Sequence, residues 1–413
     1  MNPARARAPE RTAGQTLDVL LGTTFVGTLT HLGNEALIFT FDPAYVEGGA
    51  VRPTLSLGFK AADGSLTEQT RPTQVRLPPF LSNLLPEGHL REYLAARGGV
   101  HPDREFFLLW LLGADLPGAV EVQSSDGEPP PSADEAPLPE RAENRPFRFS
   151  LAGVQLKFSA LMGTSKGLTL PVDGVGGNWI VKLPSPRFDA VPENEYAMMT
   201  LAAAIGIDVP EVRLVATAEI GNLPHDLPEA FGRSLAVRRF DRPMPGMRVH
   251  IEDFAQVFGV YPENKYKRAS YGSIARVLWR EAGEEAIIEY TRRLAFNVLI
   301  GNADAHLKNW SVIYPGRRAA KLAPAYDLVA TVPYIPADRL ALTLGDTKEF
   351  AEVDLERFRH FAEKAGLPVR LVLQTVRDTA ARVRDLWPRH EPGRALPNRL
   401  RKAIDTHLRA MQL

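Results

Sequence analysis

The stretch GNADAHLKNW, residues 301–310, places Asp304, His306, Lys308 and Asn309 directly behind the apolar run RRLAFNVLI. The apolar pattern predicts a helix from about Ile287 to Ile300, and Gly301 is a residue type that commonly ends helices. The polar residues that follow are therefore predicted to lie on a loop before the strand WSVIY. Loops held by rigid elements are where catalytic groups commonly lie.

The loop contains Asp304 and Asn309 in the pattern Asp-x4-Asn. Protein kinases use this spacing: the Asp accepts the proton of the attacking hydroxyl, and the Asn oxygen binds Mg²⁺. Asp327, in APAYDLV, follows across a gap the size of a β-hairpin, where a second hard oxygen ligand should lie. Both Asp304 and Asp327 are expected to face solvent. Taken singly, such residues more often form Asx turns and helix caps, whereas the combined pattern favours the kinase site.

A lysine supplies a cation for phosphate groups. Lys182 ends the apolar run NWIVK, which predicts a buried strand, and a buried lysine needs an anion such as an ATP phosphate. In kinases this lysine pairs with a Glu on the following helix, and PENEYAMM offers Glu193 and Glu195, of which Glu195 is the preferred partner. For Lys182 alone, a protective lysine on an edge strand is the alternative.

The segment SLAGVQLK, Ser150 to Lys157, is the candidate for a phosphate-binding loop. It matches neither the P-loop pattern nor a complete Gly-x-Gly-x-x-Gly, so its motif alone is weak evidence. The segment HIEDF, from His250, predicts a capped helix start.

The length and composition limit the classes of protein that fit this sequence. A chain of 413 residues exceeds one ordinary core and predicts two or three lobes. Its 49 basic and 49 acidic residues leave no net charge, so nucleic-acid binding by the whole surface is not predicted. The absence of cysteine excludes disulfides, thiolate zinc sites and a Cys nucleophile. Without a signal-peptide pattern or an apolar run of about 18 residues, we expect a cytoplasmic protein that does not enter membranes.

The order of the patterns predicts an α+β chain with five parts. LDVLLGTTFVGTLTHL, with a turn at its Gly-Thr-Thr, ALIFTFDPAYV and TLSLGF predict strands, PFLSNLLPEGHLREYLAARGG predicts a helix, and a Pro, Glu and Ser-rich stretch predicts a linker. A mostly antiparallel sheet carrying one helix follows, and then mainly helices. The predicted parts are a disordered start (1–15), a β-rich subdomain (16–123), a linker (124–146), a sheet lobe (147–245) and a helical lobe (246–413).

The motifs resemble a known family, the HipA-like serine/threonine kinase toxins of bacterial type II toxin–antitoxin systems. The resemblance covers nearly the whole chain and keeps the family order. The motifs that carry it are VGTLT, LSNLLPEG, SLAGVQLK, IVKLP, NEYAMM, LAVRRFDR, HIEDFAQVFG, LIGNADAHLKNWSV and PAYDLV.

The resemblance implies a two-lobed protein-kinase-like fold with an N-terminal β-rich subdomain and a mainly helical C-terminal lobe. It implies that Asp304 is the catalytic Asp, that Asn309 and Asp327 bind Mg²⁺, and that His306 and Lys308 touch substrate or phosphate.

The resemblance also implies the ATP contacts. Lys182 would bind phosphate, and Arg238 to Phe240 would form the hinge beside adenine, with Arg238 standing where Glu is expected in the best-known members. The phosphate loop would comprise Ala152, Gly153, Val154, Gln155 and Lys157.

Ser150 lies at the entrance of that loop, directly after the linker. We predict that it is an autophosphorylation site that switches the kinase off, because a phosphate there would repel ATP and draw the loop away.

The function that follows is Mg²⁺/ATP-dependent phosphorylation of Ser or Thr on a protein, with aminoacyl-tRNA synthetases among the family's substrates. A small helix-turn-helix antitoxin would hold the kinase inactive and supply the contacts to DNA. Two alternatives stay open at this point. One is a small-molecule phosphotransferase of the aminoglycoside or choline type, and the other is a degenerate kinase that serves as an antitoxin-binding co-repressor.

Overall fold

The structure is a computed structural model. The residues it describes are 15–61, 63–67, 70–129, 156–162, 168–170, 176–223, 232–335 and 338–413. Ser150, Ala152, Gly153, Val154 and Gln155 lie outside the described residues, so the predicted phosphosite and most of the phosphate loop stay predictions.

The first domain is an antiparallel sheet covered by short helices. Its strands follow the order β4-β3-β2-β1-β5, and its core is apolar side chains from both layers. The elements are β1 (Gln15–Leu21), β2 (Thr24–His31), β3 (Ala36–Phe41), α1 (Pro43–Glu47), β4 (Thr73–Gln74), α2 (Pro79–Ser82), α3 (Gly88–Arg97), α4 (Glu105–Leu112) and β5 (Val120–Ser124). The predicted β1–β2 hairpin is confirmed.

The predicted strand TLSLGF is wrong. This segment forms a 3₁₀ turn at Leu57–Phe59, in which the Ser56 hydroxyl accepts a hydrogen bond from the Gly58 N–H. The Leu57 N–H donates to Glu252 in the last domain at 2.8 Å. Side-chain acceptors therefore take the N–H groups that a strand would have paired, and the alternating pattern alone could not reveal them.

The predicted helix PFLSNLLPEGHLREYLAARGG is divided into α2 and α3. The break falls at Asn83–Glu87, where Pro86 lacks the N–H that a continuing helix would use. The interruption leaves a loop that projects toward the last domain, because the Asn83 amide donates to the Val260 carbonyl at 2.8 Å.

The second unit is an antiparallel sheet with one long helix, as predicted. Its strand order is β7-β6-β8-β10-β9. The elements are β6 (Lys157–Met162), β7 (Leu168–Thr169), β8 (Trp179–Lys182), α5 (Val191–Ala204), β9 (Val212–Ala216) and β10 (Arg233–Arg238). Helix α5 packs its apolar side chains into the core of the last domain, so it couples the two lobes.

The last domain is mainly helical. Its elements are β11 (His250–Asp253), α6 (Phe254–Val257), α7 (Tyr271–Ile300), β12 (Ser311–Tyr314), β13 (Lys321–Leu322), α8 (Leu355–Ala365), α9 (Val369–Leu386), α10 (Glu391–Arg394) and α11 (Asn398–Ala410). The capped helix start predicted at HIEDF is confirmed by a capping box between Asp253 and Gln256. The strand β11, which pairs with β12, was not predicted.

The predicted helix before GNADAHLKNW is confirmed and starts earlier than expected. Helix α7 begins at Tyr271, is interrupted at Gly283 and ends at Gly301 with φ of +67°. A Cβ at Gly301 would lie 2.6 Å from Val332, so only glycine fits this turn. The chain therefore reverses sharply into the polar loop. Among the described residues, no helix combines the length and apolarity needed to cross a bilayer.

A group of buried charges, the junction cluster of Asp115, Arg239, Asp241 and Arg242, joins the first domain to the segment after β10. The Arg239 guanidinium donates to both oxygens of Asp241, at 3.0 and 2.8 Å. Arg242 lies 2.8 Å from Asp241 and 3.1 Å from Asp115. The Gly118 N–H also donates to Asp241, and the two arginines together with this N–H hold the pKa of Asp241 below its usual value although burial alone would raise it. This cluster fixes the first domain against the rest of the chain.

Candidate active site

The cleft between the lobes is crossed by a lysine that contacts two carboxylates. Lys182, on β8, forms ion pairs with Glu195 on α5 and with Asp327. Lys157, on β6, lies 3.3 Å from the second oxygen of Asp327. These four residues are the cleft cluster. They come from both lobes, so the cluster brings the sheet and the helical lobe together.

Electrostatics in the cleft cluster favour the charged forms of Asp327 and Lys182 but not that of Glu195. Burial alone would raise the pKa of Asp327, yet Lys157 and Lys182 hold it well below its usual range. Burial opposes the charge on Lys182, but Asp327 and Glu195 raise its pKa above the ordinary value. Burial raises the pKa of Glu195. Asp327 therefore stays an anion, held in a left-handed backbone conformation with φ of +54° that Asp tolerates better than most residues.

Asp304 lies at the start of the polar loop and is buried, with 7% of its surface exposed. The Tyr266 hydroxyl donates a hydrogen bond to its Oδ1. Burial raises the pKa of Asp304 to about 6, and the Tyr266 hydrogen bond opposes that rise. The expectation that Asp304 faces solvent is wrong, because Tyr266, from a distant segment, covers the carboxylate.

The loop after α7 is held by hydrogen bonds to its neighbours. The Asn302 side chain accepts from the Asp304 N–H at 2.9 Å, and the Thr331 hydroxyl accepts from the Ala303 N–H at 2.9 Å. The Asn309 amide nitrogen donates to the Asp304 carbonyl at 2.8 Å. The two residues of the Asp-x4-Asn pattern are therefore tied to each other.

His306 is buried beside Asp304. Its Nε2 lies 4.0 Å from the Asp304 carboxylate, and its ring packs edge-on against Tyr266. Neither ring nitrogen has a hydrogen-bond partner among the described residues. Burial lowers the pKa of His306 well below its ordinary value, so the ring is neutral. Its predicted contact with substrate or phosphate stays a prediction.

Lys308 points toward the first domain. Its Nζ lies 2.8 Å from Glu87 and donates to the Asn83 carbonyl at 3.0 Å. Burial alone would lower the pKa of Lys308, but Glu87 and Asp253 raise it. The structure therefore places Lys308 at a domain junction, and its predicted contact with substrate stays a prediction.

The predicted hinge lies at the end of β10. The Arg238 side chain is about half exposed, at 48%, and lies 3.8 Å from Glu211. The Phe240 ring is half-buried, with its centroid 5.9 Å from the Tyr326 ring of the helical lobe. The predicted role of Arg238 and Phe240 beside adenine stays a prediction.

Asn309 and Asp327 are the candidate donors for Mg²⁺. Asn309 and Asp327 line the same small cavity. Because the Asn309 nitrogen is used as a donor to Asp304, its amide oxygen is left as the acceptor. No group of three or more His, Asp and Glu side chains suited to a metal occurs in the described part of the chain. One carboxylate and one amide oxygen nevertheless fit Mg²⁺, which is commonly held by one or two carboxylates plus substrate phosphates.

Sequence reasoning missed three residues at this site, namely Tyr266, Lys265 and Glu87. Lys265 Nζ lies 2.7 Å from Glu87, which also contacts Lys308. The sequence signal was present for Glu87, which lies in the motif LSNLLPEG, but no pattern linked that motif to the loop.

A buried strand lysine paired with a helix glutamate, an Asp-x4-Asn loop and a later Asp define the class of two-lobed protein-kinase-like proteins. The particular family is identified by family models that together match most of the chain. Residues 17–123 match the HipA N-terminal domain and residues 149–387 match the HipA-like C-terminal domain. The chain belongs to the HipA-like family, and the predicted resemblance is confirmed.

Two relatives match most of the chain. The chain is 50% identical over 400 residues to the "Putative kinase Y4dM" of Sinorhizobium fredii, covering 96% of this chain and 97% of that protein. It is 27% identical over 414 residues to the serine/threonine-protein kinase toxin HipA of Shewanella oneidensis, covering 89% and 87%.

One of the solved structures that resemble this chain is similar along nearly its whole length. It is the Shewanella oneidensis toxin–antitoxin complex of HipA, HipB and operator DNA, with a TM-score of 0.72, 23% identity and coverage of 95% and 96%. This similarity concerns the fold. It confirms the predicted α+β, kinase-like fold with its N-terminal β-rich subdomain and helical C-terminal lobe.

Proposed function

We propose that the protein is a Mg²⁺/ATP-dependent serine/threonine protein kinase that acts as the toxin of a toxin–antitoxin pair. One observation carries the proposal: Lys182 contacts both Glu195 and Asp327 in the cleft, beside a loop in which Asp304 and Asn309 are bound to each other. These groups supply a phosphate-binding cation, metal donors and a proton acceptor. The kinase names of the relatives support the same conclusion.

In this proposal each residue has one task. Lys182 and Lys157 would bind ATP phosphates, and Asn309 and Asp327 would hold Mg²⁺, which would supply positive charge beside the phosphates. Asp304 orients the acceptor hydroxyl and takes its proton. Since the pKa of Asp304 is raised to about 6 by burial, its carboxylate is the dominant form at neutral pH and is still basic enough to accept a proton.

The proposal also extends to the protein substrate and to the antitoxin partner. An aminoacyl-tRNA synthetase is the substrate class that the family resemblance suggests. The antitoxin is proposed to be a small helix-turn-helix protein that supplies the DNA contacts, because the similar Shewanella complex contains HipA, HipB and operator DNA. A chain with no net charge also lacks the overall field that would bind DNA alone. Specific operator binding by the isolated chain at physiological salt would contradict this part.

The main experiment is phosphate transfer from [γ-³²P]ATP. Wild type, Asp304→Asn and the control Asp378→Asn, an exposed Asp on α9, are incubated with Mg²⁺ and either the protein fraction or the small-molecule filtrate of a bacterial lysate. We expect wild type and control to label a protein band, and Asp304→Asn to lose on the order of 10²-fold or more in rate.

The fractions separate the alternatives. Label only in the filtrate would favour a small-molecule phosphotransferase, and no label with either fraction would favour a degenerate kinase. Asp304→Asn with near wild-type turnover would contradict the assignment of the proton acceptor.

Ser150 is proposed as an autophosphorylation site that switches the enzyme off. After incubation with Mg²⁺ and ATP, mass spectrometry maps the phosphosites, and ATP affinity is compared before and after. Phosphorylation of another protein without modification of Ser150, or unchanged ATP affinity after modification, would rule this switch out.

A further inference from the structure

One loop of the first domain, residues 83–87, reaches the candidate catalytic loop. The Glu87 carboxylate lies 2.8 Å from Lys308 through one oxygen and 2.7 Å from Lys265 through the other. The Asn83 carbonyl accepts a further hydrogen bond from Lys308 at 3.0 Å. The side chains of Lys265 and Lys308 are 8% and 15% exposed, so these ion pairs are largely shielded from water.

The two lysines lie on the two segments that surround Asp304. Lys308 belongs to the polar loop itself. Lys265 immediately precedes Tyr266, whose hydroxyl donates to the Asp304 carboxylate. The Leu307 N–H also donates to the Lys265 carbonyl, at 3.3 Å. The Glu87 carboxylate of the first domain therefore connects the two segments that flank Asp304, the candidate proton acceptor.

Loss of that carboxylate would leave two largely buried ammonium groups without their shared anion. Breaking a buried pair by removing one partner is strongly unfavourable, because the remaining charge stays desolvated. The lysines would turn to other anions nearby: Lys265 is within electrostatic range of Asp304, and Lys308 of Asp253. Either movement displaces the segment that carries the candidate proton acceptor.

We infer that Glu87 is a positioning residue for the catalytic loop, so that the first domain is a working part of the kinase site. This inference rests on the proposed function for its kinetic test. It extends that function, because it assigns to the N-terminal domain a contribution to phosphoryl transfer. A purely adhesive role for Glu87 would instead lower stability and leave turnover per folded molecule unchanged.

The chain provides a matched control, a second carboxylate that links the first domain to the last domain. Glu263 contacts Arg76 of the first domain at 2.5 Å, but its side chain is 53% exposed and it contacts neither lysine. Glu87→Gln and Glu263→Gln each remove one carboxylate that links the first and last domains, and only the first variant touches the loop. The full-length proteins are compared by [γ-³²P]ATP transfer, thermal unfolding and amide hydrogen exchange of peptides spanning 304–309.

For Glu87→Gln we expect kcat to fall on the order of 10-fold to 100-fold with KM for ATP nearly unchanged, since misplaced reacting groups cost rate rather than nucleotide binding. Exchange of the 304–309 peptides should become faster. Glu263→Gln should match wild type in both measurements. Glu87→Asp keeps the charge on a shorter side chain and should lose part of kcat, which keeps the test available where the Gln variant does not fold.

Failure of the Glu87 inference can be distinguished from failure of the proposed kinase function. If neither Glu87 variant changes kcat or exchange more than Glu263→Gln does, Glu87 does not position the loop. If wild type transfers no phosphate while exchange in Glu87→Gln still rises, the proposed kinase function fails and the contact to the loop stands.

Discussion

The junction cluster and the cleft cluster contain the same charges: each has two cations and two carboxylates, and each joins separate parts of the chain. They differ in how the charges are held. In the junction cluster both cations are arginines with several hydrogen bonds, and Arg242 also donates to the Gly118 and Leu116 carbonyls of the first domain. In the cleft cluster both cations are lysines, and Lys157 and Asp327 are 31% and 20% exposed.

The difference distinguishes a fixed joint from the proposed reactive site. Arginine presents a planar group that binds carboxylates in fixed geometry, whereas lysine is a point charge that can change partners. The arginines suit a cluster that never changes. The lysines suit the proposed site, in which the Asp327 carboxylate would pass to a metal while the ammonium groups would pass to phosphates.

The largest expected effect is on catalysis in the cleft cluster. Asp327→Asn keeps the size and the tolerance for a left-handed backbone, but removes the charge that the proposal assigns to Mg²⁺. We expect kcat to fall on the order of 10²-fold or more, because charge on the transferring phosphoryl group loses its counterion support. Transfer assays give the rate, and thermal unfolding checks that the variant is folded. Near wild-type turnover would place the metal elsewhere.

The second effect is on stability, in the junction cluster. Asp241→Asn leaves Arg239 and Arg242 buried with only one of their two carboxylate partners, Asp115. The free energy of unfolding should therefore fall by about 3 kcal/mol. Turnover per folded molecule should change little. Denaturant unfolding measures the loss, with Asp378→Asn as the exposed control. If Asp241→Asn lowers kcat without lowering stability, the two clusters do not have the separate roles assigned here.

A smaller effect is expected where a single hydrogen bond reaches the site. Tyr266→Phe removes the donor to Asp304 and should lower kcat about tenfold, the usual scale of a hydrogen bond to a charged group. KM for ATP should stay unchanged. Tyr261→Phe, at the nearby tyrosine that stacks under Arg76, is the control. A matching loss in both variants would mean that Tyr266 acts through general packing.

The smallest effect is expected at the predicted hinge. Arg238→Glu replaces a half-exposed side chain beside Glu211, where ion pairs contribute little. We expect KM for ATP to change by less than about threefold, with unfolding unchanged, since exposed pairs are weak. A much larger rise in KM would show that this side chain takes part in nucleotide binding.

Local features were predictable from the sequence. The β1–β2 hairpin and the end of α7 at Gly301 follow from residues that adjoin one another in the chain. The covering of Asp304 was not predictable, because Tyr266 lies 38 residues away and meets the loop only after the helical lobe has packed. The same holds for Glu87, which is 178 residues from Lys265. Contacts of this separation depend on how domains dock, and periodicity carries no information about docking.

The docking of the first domain also affects how the gene can be divided. The proline-rich stretch after β5 invites truncation, because a fragment that starts beyond it would keep every residue of the cleft cluster. Such a fragment would, however, present Arg239, Asp241 and Arg242 to water, and it would remove both the Ser56 and Leu57 donors from the buried Glu252 carboxylate. We expect it to aggregate on expression. We therefore expect the first domain and the rest of the chain to fold only when they are expressed together.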